Sequence, residues 1–279
     1  MNISDLLWKG KVADSFNLPL PDPGMVFPDT PQYYITLIMW ICVVPFVAYC
    51  LYQAYKTKSP LAVLLLIGGV ICYLNEPIVD VLALVWHPRP NQWVAVETFG
   101  PVPLWGLGIY IIFFGAMPYI LLIAAKRGIS RKAFWIGVAA FFVVDVACEI
   151  PILYYGLYYY YGDPPYMFMR LPLYWLFINT LGPLVTVALL LRAPELFKGW
   201  RMILIPLLPM TTDAAGSLAS GWPIMTALNT IGASAGLKWF AATLTILIGA
   251  VIMEGLSRVI CSDKQMELSL VERKDKAAA

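Results

Sequence analysis

The sequence predicts an all-α fold, a seven-transmembrane helix bundle with its amino terminus outside and its carboxyl terminus cytoplasmic. Three observations carry that expectation. The composition is 60% hydrophobic and 13% charged, against about 45–50% and about 25% in an ordinary soluble domain. Seven windows are apolar enough to cross a membrane, since roughly 30 Å of hydrocarbon takes about 20 residues at 1.5 Å each. None alternates apolar and polar positions as an outer-membrane strand would.

In order, the windows are 34–55, 60–86, 102–125, 133–159, 171–191, 202–223 and 239–260. Basic residues set their direction, because Lys and Arg collect in cytoplasmic loops. Lys56 and Lys58 follow the first window; Lys126, Arg127, Arg131 and Lys132 separate the third and fourth; Arg192, Lys198 and Arg201 separate the fifth and sixth. The opposite loops hold His87, Arg89, Arg170 and Lys238, a thinner supply. Between 211 and 237, Gly216, Gly221, Pro223, Gly232 and Gly236 interrupt the pattern. A broken sixth helix, or a short interfacial segment before the seventh, is expected there. Residues 1–33 lack the basic start and apolar core of a cleaved export signal and are expected to stay as an extramembrane flap. Residues 34–261 form the membrane domain, and 262–279 a charged, flexible cytoplasmic tail.

Several function classes drop out. A net charge of +2 with no basic face argues against nucleic acid as a partner. Cys42, Cys50, Cys72, Cys148 and Cys261 show no CxxC spacing and read as small apolar fillers. Serine-hydrolase, P-loop and dinucleotide-binding glycine patterns are missing. The seventh window has no mid-span lysine for a retinal Schiff base; Lys238 stands at its outer start.

The informative residues are acids inside the windows, because an ionisable group in hydrocarbon is costly unless it faces protein, a partner or water. The second window offers Asn75, Glu76 and Asp80, and the fourth Asp145 and Glu149. Each acidic pair has i, i+4 spacing, which places both carboxylates on one helix face. Counted from the basic ends, Glu76 and Glu149 stand roughly 24 Å up their helices and Asp145 roughly 18 Å. Asn179 and Asp213 lie roughly 12 Å below the outer ends of theirs. Five acids and two amides are therefore expected to line one outward-opening cavity. A single acid could equally tie helices together. Five point to chemistry, since carboxylates crowded in a dry interior cannot all ionise, which leaves a protonated acid beside an ionised base. Glu254 stands four residues before Arg258 and reads as a structural salt bridge; Glu97, in an outer loop, reads as a solvated residue or a lid contact.

Metal chemistry has less support in the pattern. His87 is the single histidine, so two-His ligand sets are excluded. Carboxylates could hold magnesium, but a diphosphate site would also need convergent Lys or Arg; no metal or other cofactor is expected. The tyrosines from Tyr154 to Tyr161 suit an interfacial belt. With Tyr73, Trp86, Trp93, Trp105, Tyr110, Tyr174 and Trp175 they also offer ring faces to a cation.

In size, span number, aromatic content and buried acids, carried by Asn75, Glu76, Asp145, Glu149 and Asp213, the chain resembles the small integral-membrane terpene cyclases. More distantly it resembles the membrane sterol isomerases. The resemblance implies a prenylated or polycyclic lipid substrate, protonation of an alkene or epoxide, and a cation guided by rings without a redox cofactor. The expected function is thus an isomerase or cyclase of an isoprenoid or sterol-like lipid. Glu76 or Glu149 would donate the proton, and Asp80 or Asp145 would hold or accept one, with Asp213 completing the acidic set. Tyr73, Tyr154 and Tyr158 would stabilise positive charge, and Asn75, Trp105, Trp175 and Asn179 would complete the substrate site. Two other readings stand beside it: a proton-coupled transporter, and a lipid-binding subunit whose tail recruits a partner. The expected partners are a hydrophobic small-molecule substrate and membrane lipids; in the transport reading the acids would bind a cation and relay a proton.

Overall fold

The computed structural model describes residues 24–261 and is an all-α bundle of seven helices of membrane-spanning length. The spans are Asp29–Thr57, Leu61–Ala83, Leu104–Lys126, Arg131–Tyr154, Trp175–Arg192, Gly199–Leu228 and Ala235–Ile260. Their number, order and apolar character make the chain an integral, multi-pass membrane protein in contact with lipid. The expected tail and most of the expected flap lie outside the described residues. The first helix starts at Asp29, earlier than the expected 34.

Local chemistry explains the ends. Ser130 and Ser234 cap the fourth and seventh spans by accepting from the backbone N–H of Ala133 and Leu237 at 3.1 and 3.2 Å. Lys58 closes the first in the left-handed region. The fourth span stops at Tyr154, short of the expected 159, because Gly156 turns the chain at φ +73°.

At one end of the bundle the connections form three two-stranded antiparallel ribbons. Strand β1 (Val85–Trp86) pairs with β4 (Tyr159–Tyr160), β2 (Val94–Glu97) with β3 (Pro101–Pro103), and β5 (Met167–Phe168) with β6 (Leu171–Pro172). Lys238 Nζ donates to the Gly162 carbonyl at this ribbon end, and Asn229 Nδ2 to that of Leu82, both at 2.7 Å. At the opposite, basic end Glu254 pairs with Arg131 and accepts from Arg258 at 2.9 Å, and Arg192 donates to the Val259 carbonyl.

Prolines decide where the helices are irregular. A proline has no N–H to donate and its ring crowds the preceding turn. The second span accordingly tightens into a 3₁₀ turn at Tyr73–Asn75 just before Pro77. The third loosens into a π-helix at Ile111–Ala116 before Pro118, and the sixth begins as a 3₁₀ segment, Gly199–Leu207, before Pro209. The expectation of a broken helix after 211 is corrected: the sixth span runs unbroken over Leu208–Leu228, through Gly216, Gly221 and Pro223. Those glycines serve contact with a neighbouring helix.

Small residues let backbones meet, the usual device between helices in lipid. A Cβ on Gly69 would stand 2.8 Å from the Tyr110 carbonyl oxygen, and one on Gly216 3.1 Å from the Gly182 nitrogen. The second and third spans, and the fifth and sixth, thus touch main chain to main chain. Thr186 and Thr212 share a hydrogen bond of 2.6 Å across the latter pair. The fifth span is the most buried of the seven, while the first and fourth are the least. Replacing Gly69 by Ala should cost about 1–3 kcal/mol of stability through overpacking. Gly137→Ala, whose Cβ would meet nothing within 4 Å, should be neutral; reversible unfolding in detergent compares the two.

Candidate functional site

Spans two to six and the β1–β4 ribbon enclose a cavity of about 100 Å³ toward the ribbon end. That is several times the roughly 10–15 Å³ that admits one water. Glu76, Asp80, Asp145, Glu149 and Asp213 all line it. The i, i+4 pairs on the second and fourth spans therefore converge, and the sixth span supplies the fifth acid. Among the described residues, no lysine or arginine lines the cavity.

Each acid has a different setting. Tyr110 Oη donates to Glu76 Oε2 at 2.5 Å. Asn75 Nδ2 donates to Asp213 Oδ2 at 2.8 Å and Ser217 Oγ to Asp213 Oδ1 at 3.2 Å. Asn179 Nδ2 donates to Asp145 Oδ2 at 3.3 Å. Asp80 Oδ2 stands 3.3 Å from His87 Nε2, out of alignment for a hydrogen bond. Glu149 Oε2 is buried and has no hydrogen-bond partner among the described residues.

Local geometry brings His87 into this set. The second span ends at Leu84 in the left-handed region, φ 56°. The turn sends the chain back as β1, whose Val85 and Trp86 pair with Tyr160 and Tyr159. His87, the next residue, lines the cavity and is only 4% exposed. The same ribbon delivers Tyr160, where burial and the neighbouring Glu149 push the phenol well above its ordinary pKa and keep it neutral.

Aromatic rings form the rest of the wall. The His87 and Tyr158 rings lie 5.4 Å apart, Trp105 and Tyr158 stack at 6.2 Å, and Tyr160 meets Tyr158 edge-on at 5.5 Å. Trp175 follows at 6.2 Å from Tyr160. The indole nitrogens of Trp105 and Trp175 are buried without an acceptor among the described residues.

Of the expected substrate residues, Trp105, Tyr158, Trp175 and Asn179 line the cavity. Three do not. Tyr73 is turned away by its 3₁₀ segment and donates to the Pro103 carbonyl at 2.5 Å. Asn75 stands behind Asp213, bonding also to the Met210 carbonyl at 2.8 Å. Tyr154 is 68% exposed, because five helical residues rotate it about 140° from Glu149. Glu97 lies on β2, outside the cavity lining. Sequence reasoning weighed His87 only as a zinc ligand and missed it here; Ser217, one helical turn after Asp213, carried no signal beyond that spacing. Tyr110 was among the rings expected to face the space.

A buried Glu, Asp and His cluster capable of acid and base chemistry thus sits inside a membrane-spanning bundle. Because Asn75 satisfies both Asp213 and a backbone carbonyl, Asn75→Ala should destabilise the protein by about 1–3 kcal/mol. Tyr154→Phe should change stability by less than about 0.5 kcal/mol; thermal denaturation in detergent reads both. Comparison with protein-family models, curated proteins and solved structures gives no match, and none identifies the chain as a terpene cyclase.

Proposed function

We propose that the protein is a membrane-embedded isomerase or cyclase of an isoprenoid or sterol-like lipid, working by proton transfer without a redox cofactor. The single observation that carries this reading is the unpartnered Glu149 oxygen in a cavity walled by acids and rings. A carboxyl oxygen buried with no partner among the described residues is free to direct its proton at a substrate carbon.

Glu149 is the donor in this reading and Asp145, one turn away and held by Asn179, the base. The Glu149 O–H bond breaks as a C–H bond forms from the alkene π pair, or as an O–H bond forms on an epoxide whose C–O bond opens with its electron pair going to oxygen; either way positive charge moves to carbon. Tyr158, Tyr160, Trp105 and Trp175 stabilise that cation through their ring faces. Loss of a proton from a neighbouring carbon to Asp145 restores an alkene, and proton return from Asp145 to Glu149 resets the pair. The product has the mass of the substrate. The indole N–H groups suit a lipid that carries an oxygen function.

A second, apolar cavity of about 180 Å³ supports a lipid substrate. It lies among the third, fourth and fifth spans, with Met117, Leu121, Phe141 and Leu184 in its wall. The Phe113–Phe141 ring pair, at 4.4 Å, stands between it and the acidic cavity. A linear tail could lie there while the reacting carbons face Glu149. Transport is the competing reading, favoured by the break in the second span beside Glu76. It requires an ion gradient, which isomerisation does not.

Untargeted chromatography and mass spectrometry of lipids from cells making the protein test the proposal. The expected result is a species of unchanged mass and shifted retention, reduced at least about 100-fold by Glu149→Gln at equal folded yield. Formation that survives unchanged in Glu149→Gln would sink it. Tyr158→Leu should slow the same conversion by roughly 2- to 30-fold, the span of one cation–π contact.

A further inference from the structure

The donor and base of the proposed reaction both lie on the fourth span, which leaves the opposite wall of the cavity without a task. There Glu76 and Asp80, four residues apart on the second span, and His87 on the returning chain each offer a ligand atom. All three atoms lie within 4.8 Å of one another. We propose that Glu76, Asp80 and His87 form a binding site for a divalent, zinc-like metal ion, with its remaining coordination positions open to the cavity.

His87 supplies the independent observation. Its exposure is only 4%, yet Nδ1 has no hydrogen-bond partner among the described residues, and Nε2 has only the carboxylate of Asp80 beside it. A buried imidazole normally satisfies at least one nitrogen. Its Nε2 instead faces Asp80 Oδ2 at 3.3 Å without hydrogen-bond alignment. Two ligand atoms bound to zinc at about 2.0–2.1 Å, at the tetrahedral angle, are separated by about 3.3–3.4 Å. The Asp80–His87 pair already has that spacing.

Sequence spacing agrees with this geometry. Positions i and i+4 present two side chains on one helix face, as in helical metal sites, and the left-handed turn at Leu84 brings the third ligand back over that face. Tyr110 Oη, donating to Glu76 Oε2 at 2.5 Å, orients a ligating carboxylate as outer-shell partners do. Charge agrees as well. Two carboxylates and a neutral imidazole carry −2, which a divalent ion cancels in a cavity with no lysine or arginine among the described residues. The imidazole selects a zinc-like ion over magnesium, which takes oxygen ligands. Three protein ligands with an open position are the arrangement of a catalytic rather than a structural ion. An ion held there would act as a Lewis acid on a substrate oxygen, across the cavity from Glu149.

The full-length protein, purified in detergent and stripped with chelator, should bind one Zn²⁺ or Co²⁺ per chain. The Co²⁺ form should show visible ligand-field bands. His87→Ala and Asp80→Asn should each weaken Co²⁺ binding at least about 100-fold, since losing a ligand costs no less than losing its orienting partner. Glu149→Gln should bind Co²⁺ like the wild type, with matched melting profiles confirming folded protein. If His87→Ala does not fold, Asp80→Asn and Glu76→Gln carry the comparison. Absence of stoichiometric Co²⁺ and its bands in the wild type would overturn the site, as would undiminished binding in these variants. Failure of the wild type to bind Co²⁺ while lipid conversion persists would overturn the site and leave the Glu149 reaction standing; metal binding without conversion would do the reverse.

Discussion

Removing carboxylates from water at membrane depth is the constraint on which the rest of this structure depends. An isolated charge in hydrocarbon costs several kcal/mol, and this bundle gathers five acids around one cavity. They are accommodated by individual means. Asp213 receives an amide and a hydroxyl, Asp145 an amide and Glu76 a phenol. Asp80 faces an imidazole, and Glu149 keeps one oxygen without a partner among the described residues. This uneven settlement separates acids that hold the bundle together from those available for chemistry. A purely structural polar core would satisfy all five alike.

Three of the helices leave the α-helical ladder in a stretch just before a proline, at Pro77, Pro118 and Pro209. Two of those stretches border the acids: the 3₁₀ turn at Tyr73–Asn75 directly precedes Glu76, and the π-helix at Ile111–Ala116 directly follows Tyr110. Close main-chain contact at Gly69, Gly182 and Gly216 holds the second, third, fifth and sixth spans rigidly around these irregularities. The fourth span is far less buried, so it carries Asp145 and Glu149 on a helix that leaves room beside its neighbours.

Much of the site was legible before any coordinates, for identifiable reasons. Glu76 with Asp80, and Asp145 with Glu149, share a face by helical geometry alone, and their depths followed from counting residues. Errors arose where side-chain direction depends on helical rotation or on a departure from the α-helix. Tyr154 was placed beside Glu149 by proximity in sequence, but helical rotation turns it to the exterior. Tyr73 was read as a cavity ring, and the 3₁₀ turn gave its hydroxyl to Pro103 instead. His87 seemed stranded at a helix end because a non-glycine residue, Leu84, rarely enters the left-handed region that folds it back. The break expected among the glycines of the sixth span lies instead before Pro209 at that span's start, and before Pro77 and Pro118 in the second and third.

The sequence by itself determined the seven spans, their order, and which acids lie within them, since hydropathy and helical period act within a single segment. It determined which loops are basic as well, because charge is local. The tertiary structure alone decided that five acids from three helices meet in one cavity, which rings wall it, and which carboxylate stays unpartnered. Those outcomes depend on helix rotation and on contact between residues more than a hundred positions apart, as between Asn75 and Asp213. No local periodicity encodes the relative rotation of two packed helices.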